Sequence, residues 1–136
     1  MGICFSDEFV LYDKKGNVDA SYSYNANQLS GISHNNKNML SFSFSYENSN
    51  TLSYLNIIDT DGKTLYNGLN LNKIKHMTFF EETLFLLHEK EIVRVRRDKH
   101  SAVILTDGES AETIFALSDN RVLIVYPSYS IIEEFK

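Results

Sequence analysis

The chain has few of the residues that most often anchor covalent structure or chemistry: one cysteine, one proline, six glycines and no tryptophan. A single cysteine, Cys4, excludes an internal disulfide, so folding does not depend on an oxidising compartment. Scarce glycine leaves no phosphate-cradling loop, and no Gly-x-Ser-x-Gly elbow is present. No apolar run approaches the roughly 18 residues of a membrane span. Residues 1–6 have neither the basic start nor the long apolar centre of a signal peptide. Location is therefore expected to be cytoplasmic by default, and extracytoplasmic if an upstream signal or anchor belongs to the chain. Positive charge is also short. Thirteen Lys and Arg stand against 18 Asp and Glu, a net charge of −5. Phosphate backbones select basic surfaces, so nucleic acid is not an expected partner.

What is present is apolar and aromatic. The chain has 136 residues, 43% of them hydrophobic, with eight Tyr and nine Phe. That is enough to build a core, and the length suits one domain, residues 1–136. Leu40, Phe42, Phe44 and Tyr46 alternate with Ser41, Ser43 and Ser45, a period of two that reads as a strand with an apolar face and a hydroxyl face. In residues 73–90, Ile74, Met77, Phe80, Leu84 and Leu87 also fit a helical spacing. The repeat described next decides for strands there.

Leu11, Ile58, Val95 and Ile132 occupy equivalent places in a recurring run of short apolar strands, at steps of roughly 40 residues. Turn residues fall between the strands: Lys15-Gly16-Asn17, Asp61-Gly62, Asp107-Gly108, Asp119-Asn120 and Pro127-Ser128. The pattern predicts an all-β chain built as a partial β-propeller. It would hold about three and a half four-stranded antiparallel blades, in units of approximately 1–25, 26–72, 73–110 and 111–136. An open β-sandwich or sheet stack is the alternative. Labelling the strands of a unit a to d from the inside outward, the first unit lacks a and the last lacks d. Open edges of that kind are covered in natural proteins, so the expectation is a homo-oligomer or a piece of a larger ring.

Candidate sites are sparse. The stretch from Leu40 to Ile58 is longer than its counterparts in later units, and the extra residues fall in a b–c hairpin. In propellers these hairpins share an end with the d–a links, so Tyr46, Glu47, Asn48 and Asn50 are the candidate contacts for a ligand or partner, although loops also lengthen at little cost. Asp59-x-Asp61-Gly62 invites calcium, but Gly68 stands where an EF-hand needs its Glu, and Asp with Gly is ordinary turn chemistry. His34, His76, His88 and His100 form no helical pair; His76 and His88 could approach on neighbouring strands, yet nothing supplies a full zinc shell. Neither a metal nor a cofactor is expected. Glu81-Glu82 and Glu133-Glu134 point to opposite strand faces and form no dyad. A glycan hydrolase remains the alternative class, with Glu82 and Glu89 as its testable carboxylates. Arg94 and Arg96 share one strand face, read as a solvated one.

The phrases Val10-Leu11-Tyr12-Asp13-Lys14-Lys15-Gly16 and Ile57-Ile58-Asp59-Thr60-Asp61-Gly62 resemble the c–d hairpin of bacterial β-propeller repeats of the quinoprotein-like and YVTN type. The later units depart from it: Arg97-Asp98-Lys99-His100 lacks the Gly, and the last unit lacks both Asp and Gly. The resemblance implies a non-enzymatic scaffold that holds a protein or small-ligand partner. A structural piece of a cell-surface assembly is a further reading.

Overall fold

Short β-rich segments separated by polar turns can bury their apolar faces only by stacking on one another, and that is the arrangement found. The computed structural model describes residues 1–5, 7–23, 28–35, 37–45, 52–70, 72–96, 99–106 and 108–136. Among these, fourteen strands and no helix occur. The first sheet holds β1 (Gly2–Cys4), β2 (Glu8–Tyr12) and β3 (Val18–Ser23). The second holds β4 (Gln28–His34), β5 (Met39–Ser45), β6 (Ser53–Asp59) and β7 (Thr64–Asn70). In the third are β8 (His76–Phe80), β9 (Thr83–Leu87), β10 (Glu91–Arg96) and β11 (Lys99–Ile104). The fourth holds β12 (Thr113–Ala116), β13 (Arg121–Val125) and β14 (Ser130–Glu134). Every sheet is an antiparallel meander in which strands that follow one another in the chain pair with one another. The helix-compatible stretch 73–90 is thus the hairpin of β8 and β9, with Met77 opposite Leu86.

The repeated Asp-x-x-Gly phrase has one structural job. Asp13 Oδ1 accepts from the backbone N–H groups of Lys15 (2.7 Å) and Asn17 (2.9 Å). Asp59 Oδ1 accepts in the same way from Asp61 (3.0 Å) and Lys63 (2.8 Å). Gly16 and Gly62 then adopt φ values of 84° and 81°, where a Cβ would be strained. Each hairpin carries a register shift just before its turn, at Leu11/Tyr12 and at Ile57/Ile58. Oδ1 of each carboxylate caps its own turn, the ordinary conformational chemistry of Asp before Gly.

The sheets stack in chain order with an apolar layer between each pair. Phe9 of β2 meets Phe42, Phe44 and Ile58 of the second sheet, the Phe9 and Phe42 rings lying 5.0 Å apart. Leu55 and Ile57 meet Met77, Leu84, Leu86 and Val95 between the second and third sheets. Phe85, Leu87 and Ile92 meet Ile114, Val122, Ile124 and Phe135 between the third and fourth. β9 shows the logic best. All five of its residues are buried, and alternate ones serve different layers: Leu84 and Leu86 on one side, Phe85 and Leu87 on the other. Each such side chain contributes on the order of 1.5–3 kcal/mol through burial. Along the first strands of the sheets, β8 lies against β4 on one side and β12 on the other. The N–H groups of Ile114 and Ala116, on the β12 edge away from β13, point to His76 Nδ1 and Thr78 Oγ1, each at 3.5 Å.

One strand is buried on both faces, and one expectation changes. The serine face of β5 is as buried as its phenylalanine face, with Ser41 and Ser43 at 0% and 1% exposure. Small hydroxyls let the second and third sheets approach closely and are themselves bonded, Ser43 Oγ to Ser30 Oγ at 3.0 Å and Ser41 Oγ to the Ser33 carbonyl. The Arg94/Arg96 face is not simply solvated. Arg94 sits 5.2 Å over the Phe135 ring and donates to Ser101 Oγ and the Lys136 carbonyl, while Arg96 pairs with Asp119 at 3.2 Å. Both arginines therefore fasten the third sheet to the fourth. β11 begins at Lys99, opposite Arg96. On the outer face of the fourth sheet, Phe115, Leu123 and Ile132 form one cross-strand row, with Phe115 and Ile132 about half exposed.

Candidate functional site at the loop end

Meandering sheets place alternate connections at opposite ends. The β9–β10 hairpin therefore shares an end with the links that join one sheet to the next, whose described residues are 72–75, 105–106 and 108–112. There the links and the hairpin enclose a cavity of about 480 Å³ lined by Asn72, Lys73, Lys75, His88 and the residues 89–91, with Ile104 at its edge. Backbone bonds fix its frame: Lys75 N–H donates to the Leu87 carbonyl (2.7 Å), His88 N–H to Glu91 (2.9 Å) and Leu105 N–H to Lys90 (2.9 Å).

A polar network crosses the sheets here. Lys75 Nζ donates to Ser110 Oγ at 2.7 Å and to the Ala111 carbonyl at 2.8 Å, and lies 3.4 Å from the Glu89 carboxylate. The Ser110 hydroxyl donates onward to Glu89 Oε1 at 2.7 Å. Together Ser110 and Lys75 hold the Glu89 carboxyl below its usual range. A carboxylate stabilised in this way is a weak base, so this Ser–Glu–Lys arrangement suits holding charge in place better than activating the serine. Asn72 Nδ2 donates to Glu91 Oε1 at 3.0 Å, and the Asn72 carbonyl accepts from the buried Ser53. His88, 3% exposed, is within hydrogen-bond distance of the Lys73 carbonyl through Nδ1. Lys73 and Lys90 are exposed at the lining, and Ile104 is 64% exposed beside them. The cavity thus offers ammonium, carboxylate, amide and aliphatic surface together.

The candidate contacts Tyr46, Glu47, Asn48 and Asn50 lie outside the described residues. The loop-end cavity lies at the β9–β10 hairpin of the third sheet, which is not the lengthened connection that the sequence singled out. Lys73, Lys75 and Ser110 were missed because they sit in links that carry no motif; the shared end of hairpins and links was the signal that could have found them. Glu82 and Glu89 flank β9 at its two ends. A strand of that length holds them roughly 20 Å apart, well beyond the spacing of a glycosidase pair. His76 and His88 do not combine either: His76 contacts the β12 edge and His88 the Lys73 carbonyl. Burial pushes the His76 imidazole below its usual value. Among the described residues no group of three His, Cys, Asp or Glu converges as a metal site would require, and no helix is long and apolar enough to cross a membrane.

No protein-family model matches the chain, and no curated protein matches it.

Proposed function

We propose that this chain is a non-enzymatic β-propeller-type scaffold that holds a protein or small-ligand partner at its loop end. The observation that carries the reading is the placement of β8 between β4 and β12, with successive meanders of three or four strands stacked face to face. First strands side by side and sheets radiating from them are what a propeller requires. Such a layout gathers hairpins and links at one end, and the cavity of about 480 Å³ found there lies in the range of small-ligand sites. Its mixed charge favours a partner that presents both polar and aliphatic groups.

The test is selection from a soluble peptide and small-molecule library on the immobilised chain, compared with the Lys73→Glu/Lys90→Glu variant. Both lysines are exposed, so the variant should unfold at about the same temperature. Ligands taken by the parent chain and released by the variant support the reading. Equal selection by both refutes the loop end as the binding surface.

A further inference from the structure

At the opposite end of the second and third sheets lies a second cavity, of about 350 Å³, with a different chemistry. Its deep surface is aliphatic. Ile57 of β6, Leu84 of β9 and Val95 of β10 are 4%, 1% and 5% exposed and line it together with Met39. Tyr66 of β7 forms part of the wall, its ring backed by the His100 imidazole at 6.1 Å. Two carboxylates, the half-buried Asp59 and the exposed Glu82, stand where the cavity opens.

The topology explains why these groups meet. Asp59 ends β6 and Glu82 immediately precedes β9, so the β6–β7 and β8–β9 turns deliver one carboxylate from each sheet to the same opening. The two carboxylates are held differently. Asp59 Oδ1 is committed to the N–H groups of Asp61 and Lys63, so its second oxygen is the one left to face a ligand. Glu82 sits in the two-residue turn after Glu81, whose φ of 49° is left-handed and whose carboxylate lies 3.9 Å from Lys37. Lys37 is thereby drawn to Glu81 beside the opening. Among the described residues lining this cavity there is no Lys, Arg or His.

An aliphatic pocket with an aromatic wall and two carboxylates, and with no Lys, Arg or His among its described lining residues, is complementary to one kind of ligand: a cation carried on an apolar body. We propose that this cavity binds a small organic ammonium ion. The apolar part replaces water against Ile57, Leu84 and Val95. The ammonium group sits at the opening between Asp59 and Glu82, within reach of the Tyr66 ring face. Anions are disfavoured by the same two charges, and a neutral molecule of equal shape gains only the apolar contribution. The assignment is independent of the loop-end reading, because the two cavities lie at opposite ends of the sheets.

The probe is 2-phenylethylamine, an ammonium ion at neutral pH, compared with 2-phenylethanol and 3-phenylpropionate by NMR titration of the full chain. The amine is expected to shift the signals of Leu65, Tyr66, Leu84 and Val95 saturably. It should bind about tenfold more tightly than the alcohol, as one close charge contact near a surface allows. The propionate should not bind. Glu82→Gln, at an exposed position that leaves the fold alone, should remove most of the amine's advantage and leave alcohol binding unchanged. Equal affinity for amine and alcohol, shifts confined to the loop end, no saturable shift at millimolar amine, or indifference to Glu82→Gln would each overturn the proposal. Tighter binding of acetyl-Ala-Lys-Ala-amide than of the amine would overturn the small-molecule assignment in favour of a lysine side chain.

Discussion

The packing of β4 against β5 in the second sheet can be tested at Gly31. A Cβ built on that residue of β4 would stand 2.8 Å from Ser43 Oγ and 3.4 Å from the Met77 methyl. Ordinary heavy-atom contacts begin near 3.5 Å, so the first overlap is about 0.7 Å and the second is slight. The Met77 side chain can bend away, being unbranched. Ser43 has less freedom: it is 1% exposed and bonded to Ser30 Oγ at 3.0 Å. Gly31→Ala should therefore destabilise the chain by about 1–3 kcal/mol, as overpacking of a filled site does. Ser43→Ala alone loses one hydroxyl pair, worth about 0.5–1.5 kcal/mol. In the double variant the clashing oxygen is gone, so the total loss should fall close to that of Ser43→Ala by itself. A coupling of about 1–3 kcal/mol then separates the measured double variant from the sum of the singles. Urea unfolding of the four chains, read at constant m value, supplies all the numbers. If the two losses add within about 0.5 kcal/mol, β4 and β5 are not in the register described, and the argument fails.

Two further outcomes follow from burial and charge. Leu86→Ala, at a position 1% exposed in β9, should cost about 2–5 kcal/mol, whereas Leu69→Ala, 52% exposed in β7, should stay within about 0.5 kcal/mol; similar thermal midpoints for the two would contradict the layer assignment. His76, held below its usual value by burial, binds fewer protons folded than unfolded just below roughly pH 6.5. Its contribution is therefore complete above that pH and is lost on acidification, so the midpoint should drop less between pH 7 and pH 5.5 in His76→Gln than in the parent chain; identical profiles would show that His76 is not the group responsible.

Local patterns carried the strands well. The alternation at residues 39–45, the Asp-x-x-Gly phrases and the turn residues between apolar runs each act over a few neighbouring residues, where the pleat and turn geometry dictate the outcome. Residues 73–90, whose apolar spacing also fitted a helix, form the β8–β9 hairpin expected of them. Partner faces were harder to read. A strand with serine on alternate positions looks half solvated in isolation, and only the third sheet lying on it shows that Ser41 and Ser43 are interior. Arg94 and Arg96 look like a charged surface until Phe135, Lys136 and Asp119 arrive from the fourth sheet.

The candidate sites divide in the same way. Sequence alone determined that this chain is all-β and that its turns use Asp and Gly as conformational devices. Tertiary structure decided which side chains share a cavity. Lys75 reaches Ser110 across 35 residues and Ser110 reaches Glu89 across 21, separations over which no pattern in the sequence links them. Asp59 and Glu82 likewise come from different sheets and line one cavity only because the sheets stack. Periodicity records which way a side chain points from its own strand; what it then meets depends on how separate sheets pack, and that is settled by the shape and burial of whole faces.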